Sequence, residues 1–156
     1  MRTASNFAKG EKSMQEKKYK IGYTTGVYDM FHIGHLNILR RAKEQCDYLI
    51  VGVSTDEVVV DYKGKHPVIP FEERMEIVRA IRYVDEVVPQ TSMDKMEAYH
   101  RHHFDALFHG SDWKDSEMYR KIAEELAAVG AALVFLPHTE GVSSTELSKK
   151  IQEEPK

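Results

Sequence analysis

Five short apolar segments alternating with helical patterns predict an α/β chain: a doubly wound, five-stranded parallel sheet with helices on both faces. Three observations carry this reading. Strand-like and helix-like segments alternate from Lys20 onward. The run Tyr48-Leu49-Ile50-Val51-Gly52-Val53 is apolar almost throughout, as a parallel strand covered on both faces must be. Glycine and proline mark the joints, at Gly26, Gly64, Pro89, Gly130 and Pro137.

Each element has its own reason. Ile21 to Thr25 read as the first strand, and after Gly26 comes a helix with Ile33, Leu36, Leu39 and Ala42 on its inner stripe. Tyr48 to Val53 form the second strand, and residues 61–70, with Gly64, Pro67 and Pro70, form an irregular loop. Phe71 to Arg82 read as a helix, Val84 to Val88 as a strand ended by Pro89. A helix over about Met93 to His103 leads to the strand Ala106 to His109. Ser116 to Val129 is helical and closes on Gly130 in the C′ position. Ala132 to Leu136 is the fifth strand, stopped by Pro137, and a last helix starts at Ser143 or Ser144 with Glu146 completing the cap.

Residues 1 to 18 are polar and aperiodic, so they read as a disordered arm or a non-native remnant, leaving 19–156 as one domain. A chain of 156 residues buries a real core without staples. The net charge of −3 gives no support for a nucleic-acid partner. The only cysteine, Cys46, excludes an intramolecular disulfide and is expected to be a buried residue within a helix. No apolar run approaches the roughly 20 residues of a membrane span, and no signal peptide opens the chain, so the cytoplasm is the expected compartment.

Two loops carry chemistry. Gly26-Val27-Tyr28-Asp29-Met30-Phe31-His32-Ile33-Gly34-His35 joins the first strand to the first helix. His32 and His35, three apart, project from one side of a first turn whose free amides attract phosphate. Gly34 between them lets a triphosphate approach the backbone. A metal site would need a third ligand that the neighbouring sequence lacks, and two plain surface histidines are the other reading. Asp29 is expected to cap the helix. Near the C-terminus, Thr139-Glu140-Gly141-Val142-Ser143-Ser144-Thr145 brings three consecutive hydroxyls to another helix start, a second phosphate surface.

His-x-Gly-His directly after a strand and a glycine resembles the signature of the nucleotidyltransferase superfamily that includes cytidylyltransferases, a Rossmann-like fold. From about Lys20 to Ile151 the chain is similar to its glycerol-3-phosphate cytidylyltransferase group. The likeness rests on the His-x-Gly-His loop, Ser54-Thr55-Asp56-Glu57, Arg82-Tyr83-Val84-Asp85-Glu86-Val87, Gly110-Ser111-Asp112-Trp113 and the Thr-Glu-Gly-Val-Ser-Ser-Thr segment. The resemblance implies a homodimer, formed through Arg82 to Val87, that uses CTP with Mg2+ held mainly by the nucleotide's phosphates.

It further implies that His32 and His35 act in catalysis with Lys63 and Lys65, a pair flanking Gly64 that clamps the phosphates of both substrates. It implies nucleotide contacts from Gly26, Val27, Tyr28, Gly34, Asp112 and the segment His138 to Thr145, and acceptor contacts from Lys63, Arg74, Arg82 and Lys95. Arg74 and Arg82 are expected on one face of the Phe71–Arg82 helix.

Three positions depart from the group: His138 stands for an arginine associated with CTP, Val27 for a threonine, and Ser111 for an aspartate. A histidine carries less charge and fewer donors than arginine, so the chain is expected to use CTP or ATP. The expected reaction joins a nucleoside monophosphate to a phosphorylated small alcohol. Glycerol 3-phosphate, giving CDP-glycerol for cell-envelope polymers, leads among the acceptors. The alternatives are an adenylyltransferase acting on a sugar phosphate or cofactor precursor, and a catalytically silent nucleotide-binding module.

Overall fold

A computed structural model describes residues 17–111 and 114–137. Asp112, Trp113, His138 to Thr145, the expected last helix and nearly all of the N-terminal arm lie outside the described residues. In chain order the elements are β1 (Tyr19–Gly26), α1 (Ile33–Glu44), β2 (Cys46–Ser54), α2 (Asp56–Lys63), α3 (Phe71–Arg79), β3 (Glu86–Gln90), α4 (Lys95–His102), β4 (Ala106–Gly110), α5 (Glu117–Ala128) and β5 (Ala132–Leu136). The strands pair in parallel in the order β3-β2-β1-β4-β5. The order reverses between β1 and β4, and ligands of such sheets bind beyond the strand C-termini at that crevice.

Period-two alternation sorts the strand side chains between two cores. Leu49, Val51 and Val53 of β2 and Phe108 of β4 meet Leu39 and Ala42 of α1 and Val78 of α3 on one face. Tyr23, Ile50 and Leu107 meet Ala98 of α4, Phe104 and Leu126 of α5 on the other. Leu39, Leu49, Leu107 and Leu126 are fully buried, each stabilising the fold by about 1.5–3 kcal/mol relative to exposure. The expected two-faced α/β sheet is therefore the architecture observed.

Several boundaries differ from the sequence reading. Cys46 is buried as expected but opens β2 instead of sitting in a helix. The helix α2 replaces the start of the expected 61–70 loop: Thr55 Oγ1 accepts from the Val58 N–H, and Gly64 ends it in the left-handed region at φ 76°. The strand β3 continues through Pro89, which is paired beside Val53. Proline is tolerated there because β3 is the sheet edge, where a missing N–H breaks no second ladder. The helix α3 stops at Arg79, its last turn closed by the Ala80 N–H bonding back to Glu76, so Arg82 lies in the following turn. Arg74 and Arg82 therefore do not share a helix.

Candidate active site

The turn between β1 and α1 sits at the switch point, and its backbone is under strain. Tyr28 and Met30 both take positive φ, 57° and 49°, a cost of roughly 1–3 kcal/mol each for residues with a Cβ. Burial of Tyr28 helps offset it. The residue is only 5% exposed, and its ring lies edge-on to His35 at 5.4 Å. Gly26 makes room for this ring: a Cβ there would lie 3.1 Å from it. Tyr28 and Gly26, expected among the nucleotide contacts, are thus tied to the setting of His35: the Tyr28 ring packs on it and Gly26 leaves the space for that ring.

The two histidines cap α1 reciprocally. His32, in extended conformation at φ −142°, is the N-cap, and its Nδ1 accepts the Gly34 N–H at 3.0 Å. His35, in the N3 position, accepts the His32 N–H on its own Nδ1 at 3.2 Å. This is the geometry of a capping box, with two imidazoles in place of the usual hydroxyl and carboxamide. The expected cap, Asp29, is displaced from that role by His32. The rings stack with centroids 3.9 Å apart and planes 24° from parallel.

An Nδ1 that accepts a hydrogen bond carries no proton, so in each neutral ring the proton resides on Nε2. Burial supports the neutral form. It lowers the His32 pKa from its ordinary value. His35 is pushed down to about 3, chiefly by burial and then by His32; the Asp29 charge opposes this and the Lys63 charge adds to it. The pair therefore offers two neutral Nε2–H donors, held in place by the backbone of their own helix.

Arg74 is where the structure corrects the sequence reading. Its side chain is 0% exposed. Its Nε donates to Ile69 O at 2.8 Å, one terminal nitrogen to Val27 O at 2.7 Å and Ser54 O at 2.8 Å, and the other to Asp56 Oδ1 at 2.6 Å. An arginine so enclosed ties loops together, with four of its N–H groups taken up within the protein. Asp29 works beside it, its two oxygens accepting the Val68 N–H at 2.7 Å and the Ile69 N–H at 2.8 Å. The backbone carbonyl of Val27, another expected nucleotide contact, is thereby committed to Arg74.

The remaining expected cations differ in setting. Lys63 and Lys65 are exposed on either side of Gly64, with Lys63 Nζ 5.8 Å from the Tyr62 ring centroid. Arg82 is exposed and lies over Tyr83. Lys95, in the first turn of α4, is only 4% exposed. Burial lowers its pKa, the adjacent Asp94 opposing that, and no hydrogen bond or ion pair reaches its Nζ among the described residues. Among the described residues, no three His, Cys, Asp or Glu side chains group to hold a metal ion. No helix among them is long and apolar enough to cross a membrane.

The cytidylyltransferase-like family model matches residues 23–150, most of the chain. The chain belongs to the cytidylyltransferase-like family. It is accordingly an enzyme of the nucleotidyltransferase kind. Among similar proteins, the glycerol-3-phosphate cytidylyltransferase of Bacillus subtilis is 37% identical over 129 residues, 82% of this chain and 94% of that enzyme. The FAD synthase of Thermococcus kodakarensis is 38% identical, over 89% of this chain and 95% of that one. The ethanolamine-phosphate cytidylyltransferase of Mus musculus is 40% identical over 90% of this chain, which spans only 34% of its length. Among solved structures, a lipopolysaccharide core biosynthesis protein from Thermoplasma volcanium shares the fold at a TM-score of 0.65 and 23% identity, over 78% of this chain and 97% of that one.

Proposed function

We propose that this cytidylyltransferase-like chain transfers CMP from CTP to a phosphorylated small alcohol, with glycerol 3-phosphate the leading acceptor and CDP-glycerol the product. The observation that carries the reading is the reciprocal histidine cap at the switch point of the sheet, which commits both Nδ1 atoms to backbone amides and leaves two Nε2–H donors. A phosphate oxygen of the acceptor attacks the α-phosphorus, a new O–P bond forms, the bond to the β-phosphate oxygen breaks, and pyrophosphate leaves. No protein nucleophile takes part. Such transfers depend on positioning and on donors aimed at developing negative charge.

In this reading His32 and His35 donate to the α-phosphate and the bridging oxygen. Lys63 and Lys65 draw together two anions that otherwise repel. Lys95 and Arg82 serve the acceptor. The buried ammonium of Lys95, which has no hydrogen bond or ion pair among the described residues, supports its part, since an anion would relieve the cost of burying its charge. The segment His138 to Thr145 and Asp112 complete the nucleotide site. Magnesium belongs to the nucleotide's phosphates, and none of the described side chains is assigned to it. A homodimer through Arg82 to Val87 is part of the same proposal.

One observation favours a second reading. His138 stands where the resembling group has arginine, and a relative of 38% identity is a FAD synthase, whose product contains adenine. ATP as the donor, with another phosphorylated acceptor, is that alternative. Pyrophosphate release, measured with CTP or ATP against a panel of phosphorylated alcohols, separates the two. Turnover with CTP and glycerol 3-phosphate supports the first reading. Turnover only with ATP supports the second, and silence across the panel removes both.

A further inference from the structure

Asp29, Ile69 and Arg74 close a ring of hydrogen bonds with the Val27 carbonyl beside the histidine loop. Asp29, three residues before His32, takes the Val68 and Ile69 N–H groups on its two carboxylate oxygens. Arg74 takes the Ile69 carbonyl with Nε and the Val27 carbonyl with a terminal nitrogen. Ile69 is thus gripped on both sides of its backbone, its N–H by the histidine loop and its C=O by α3. The left-handed φ of Tyr28 and Met30, on either side of Asp29, turns the chain sharply where its carboxylate meets the 68–69 backbone.

The other end of the same segment is exposed and begins at the close of α2. Gly64 takes φ 76°, and a Cβ there would meet nothing within 4 Å. Lys63, Gly64, Lys65 and His66 are all exposed. The lysine segment therefore runs between the capped end of α2, where the Gly64 N–H donates to Val60 O at 2.8 Å, and the 68–69 backbone fastened to the loop that carries the histidines.

We infer that Asp29 is a positioning residue whose carboxylate anchors the Lys63–Lys65 loop to the histidine loop, so that both cations arrive in register with the two imidazole donors. The inference rests on the proposed transfer reaction for its consequence, and on the 29-to-69 contacts for its geometry. Anchoring one end shortens the free span of the loop. The lysines then sample fewer positions before the phosphates are clamped. The carboxylate suits the task because it offers only acceptors to two successive amide donors.

The test is Asp29→Asn, which keeps the shape but replaces one acceptor oxygen by an NH2 group. Amide exchange followed by NMR without substrates should show the Val68 and Ile69 N–H groups exchanging about tenfold faster or more, while β1 and β2 amides keep their protection. In pyrophosphate release, kcat/KM should fall about tenfold or more in the otherwise native chain, but less than about twofold when Lys65→Ala is already present. A role confined to general stability would instead lower protection throughout and make the two substitutions multiply. Unchanged exchange at Val68 and Ile69, or multiplying effects, overturns the inference. Because the exchange is read without substrates, an enzyme that failed to transfer nucleotides would sink the reaction and leave the anchor measurable.

Discussion

At the residue scale, the distinctive feature is that the two histidines are at once the helix cap and the proposed catalytic donors. Each Nδ1 is committed to a backbone N–H, which leaves Nε2 for chemistry. His35→Asn separates the two tasks, since an asparagine oxygen can stand in for Nδ1 while nothing replaces Nε2. The expected outcome in a pyrophosphate-release assay is a loss of roughly a hundredfold or more in kcat, with the melting temperature close to native. Turnover near the native rate would take His35 out of the mechanism. The low pKa of His35, about 3, also predicts a rate profile with no acid limb from this ring between pH 6 and 9. A limb near pH 6.5 that disappears in His35→Asn would contradict the neutral donor. His-x-Gly-His was readable from the sequence. Its tautomer was not, because that depends on which backbone amide faces which ring nitrogen.

At the element scale, the helix α2 departs from the loop expected over 61–70, although the sequence carries its signals. Thr55 stands as a cap before Asp56 and Glu57, and Gly64 closes the end. The prolines at 67 and 70 drew residues 61–70 into one loop, and Val58-Val59-Val60 gave no helical stripe. Pro89 likewise ended β3 too early, because a sequence does not say which strand will lie at an edge. The pairing of β1 with β2 supplies a test at this scale. Gly52 faces Tyr23, whose hydroxyl bonds to Gln90. A Cβ at Gly52 would run into that hydroxyl and lie 2.9 Å from Gln90 Oε1. Gly52→Ala is expected to destabilise by about 1–3 kcal/mol through overpacking, read from the midpoint of urea unfolding. An unchanged midpoint would mean that Tyr23 and Gln90 move aside freely.

At the scale of the whole molecule, Arg74 joins the β1 turn, the end of β2, the start of α2 and the 64–70 segment through one buried guanidinium. Arg74→Met would strand the Asp56 carboxylate and three carbonyls without their donor. The expected loss is about 3–5 kcal/mol, seen as a lower urea midpoint along with lost activity. A loss below about 1 kcal/mol would show that water replaces the guanidinium. His35 contributes to the acid sensitivity of the fold. Its folded pKa lies below its unfolded value, so the unfolded chain binds a proton that the native state refuses. Stability contributed by this ring is intact above pH 6.5 and declines as the pH falls toward 3. Melting temperatures across that range should therefore fall less steeply in His35→Asn than in the native chain.

The sequence by itself determined the α/β class, the five strands in their order along the chain, the two-histidine loop and the family, because these depend on local periodicity and on residues adjacent in the chain. Only the tertiary structure decided which charged residues are enclosed by the protein's own polar groups. Arg74, read as a phosphate contact, is enclosed by Val27, Ser54, Asp56 and Ile69, while Asp29, read as a helix cap, bonds to amides some forty positions away. A guanidinium or a carboxylate satisfies itself with whichever partners the fold brings within hydrogen-bond distance. That distance is set by how β1, β2 and α3 pack, and no local pattern encodes it.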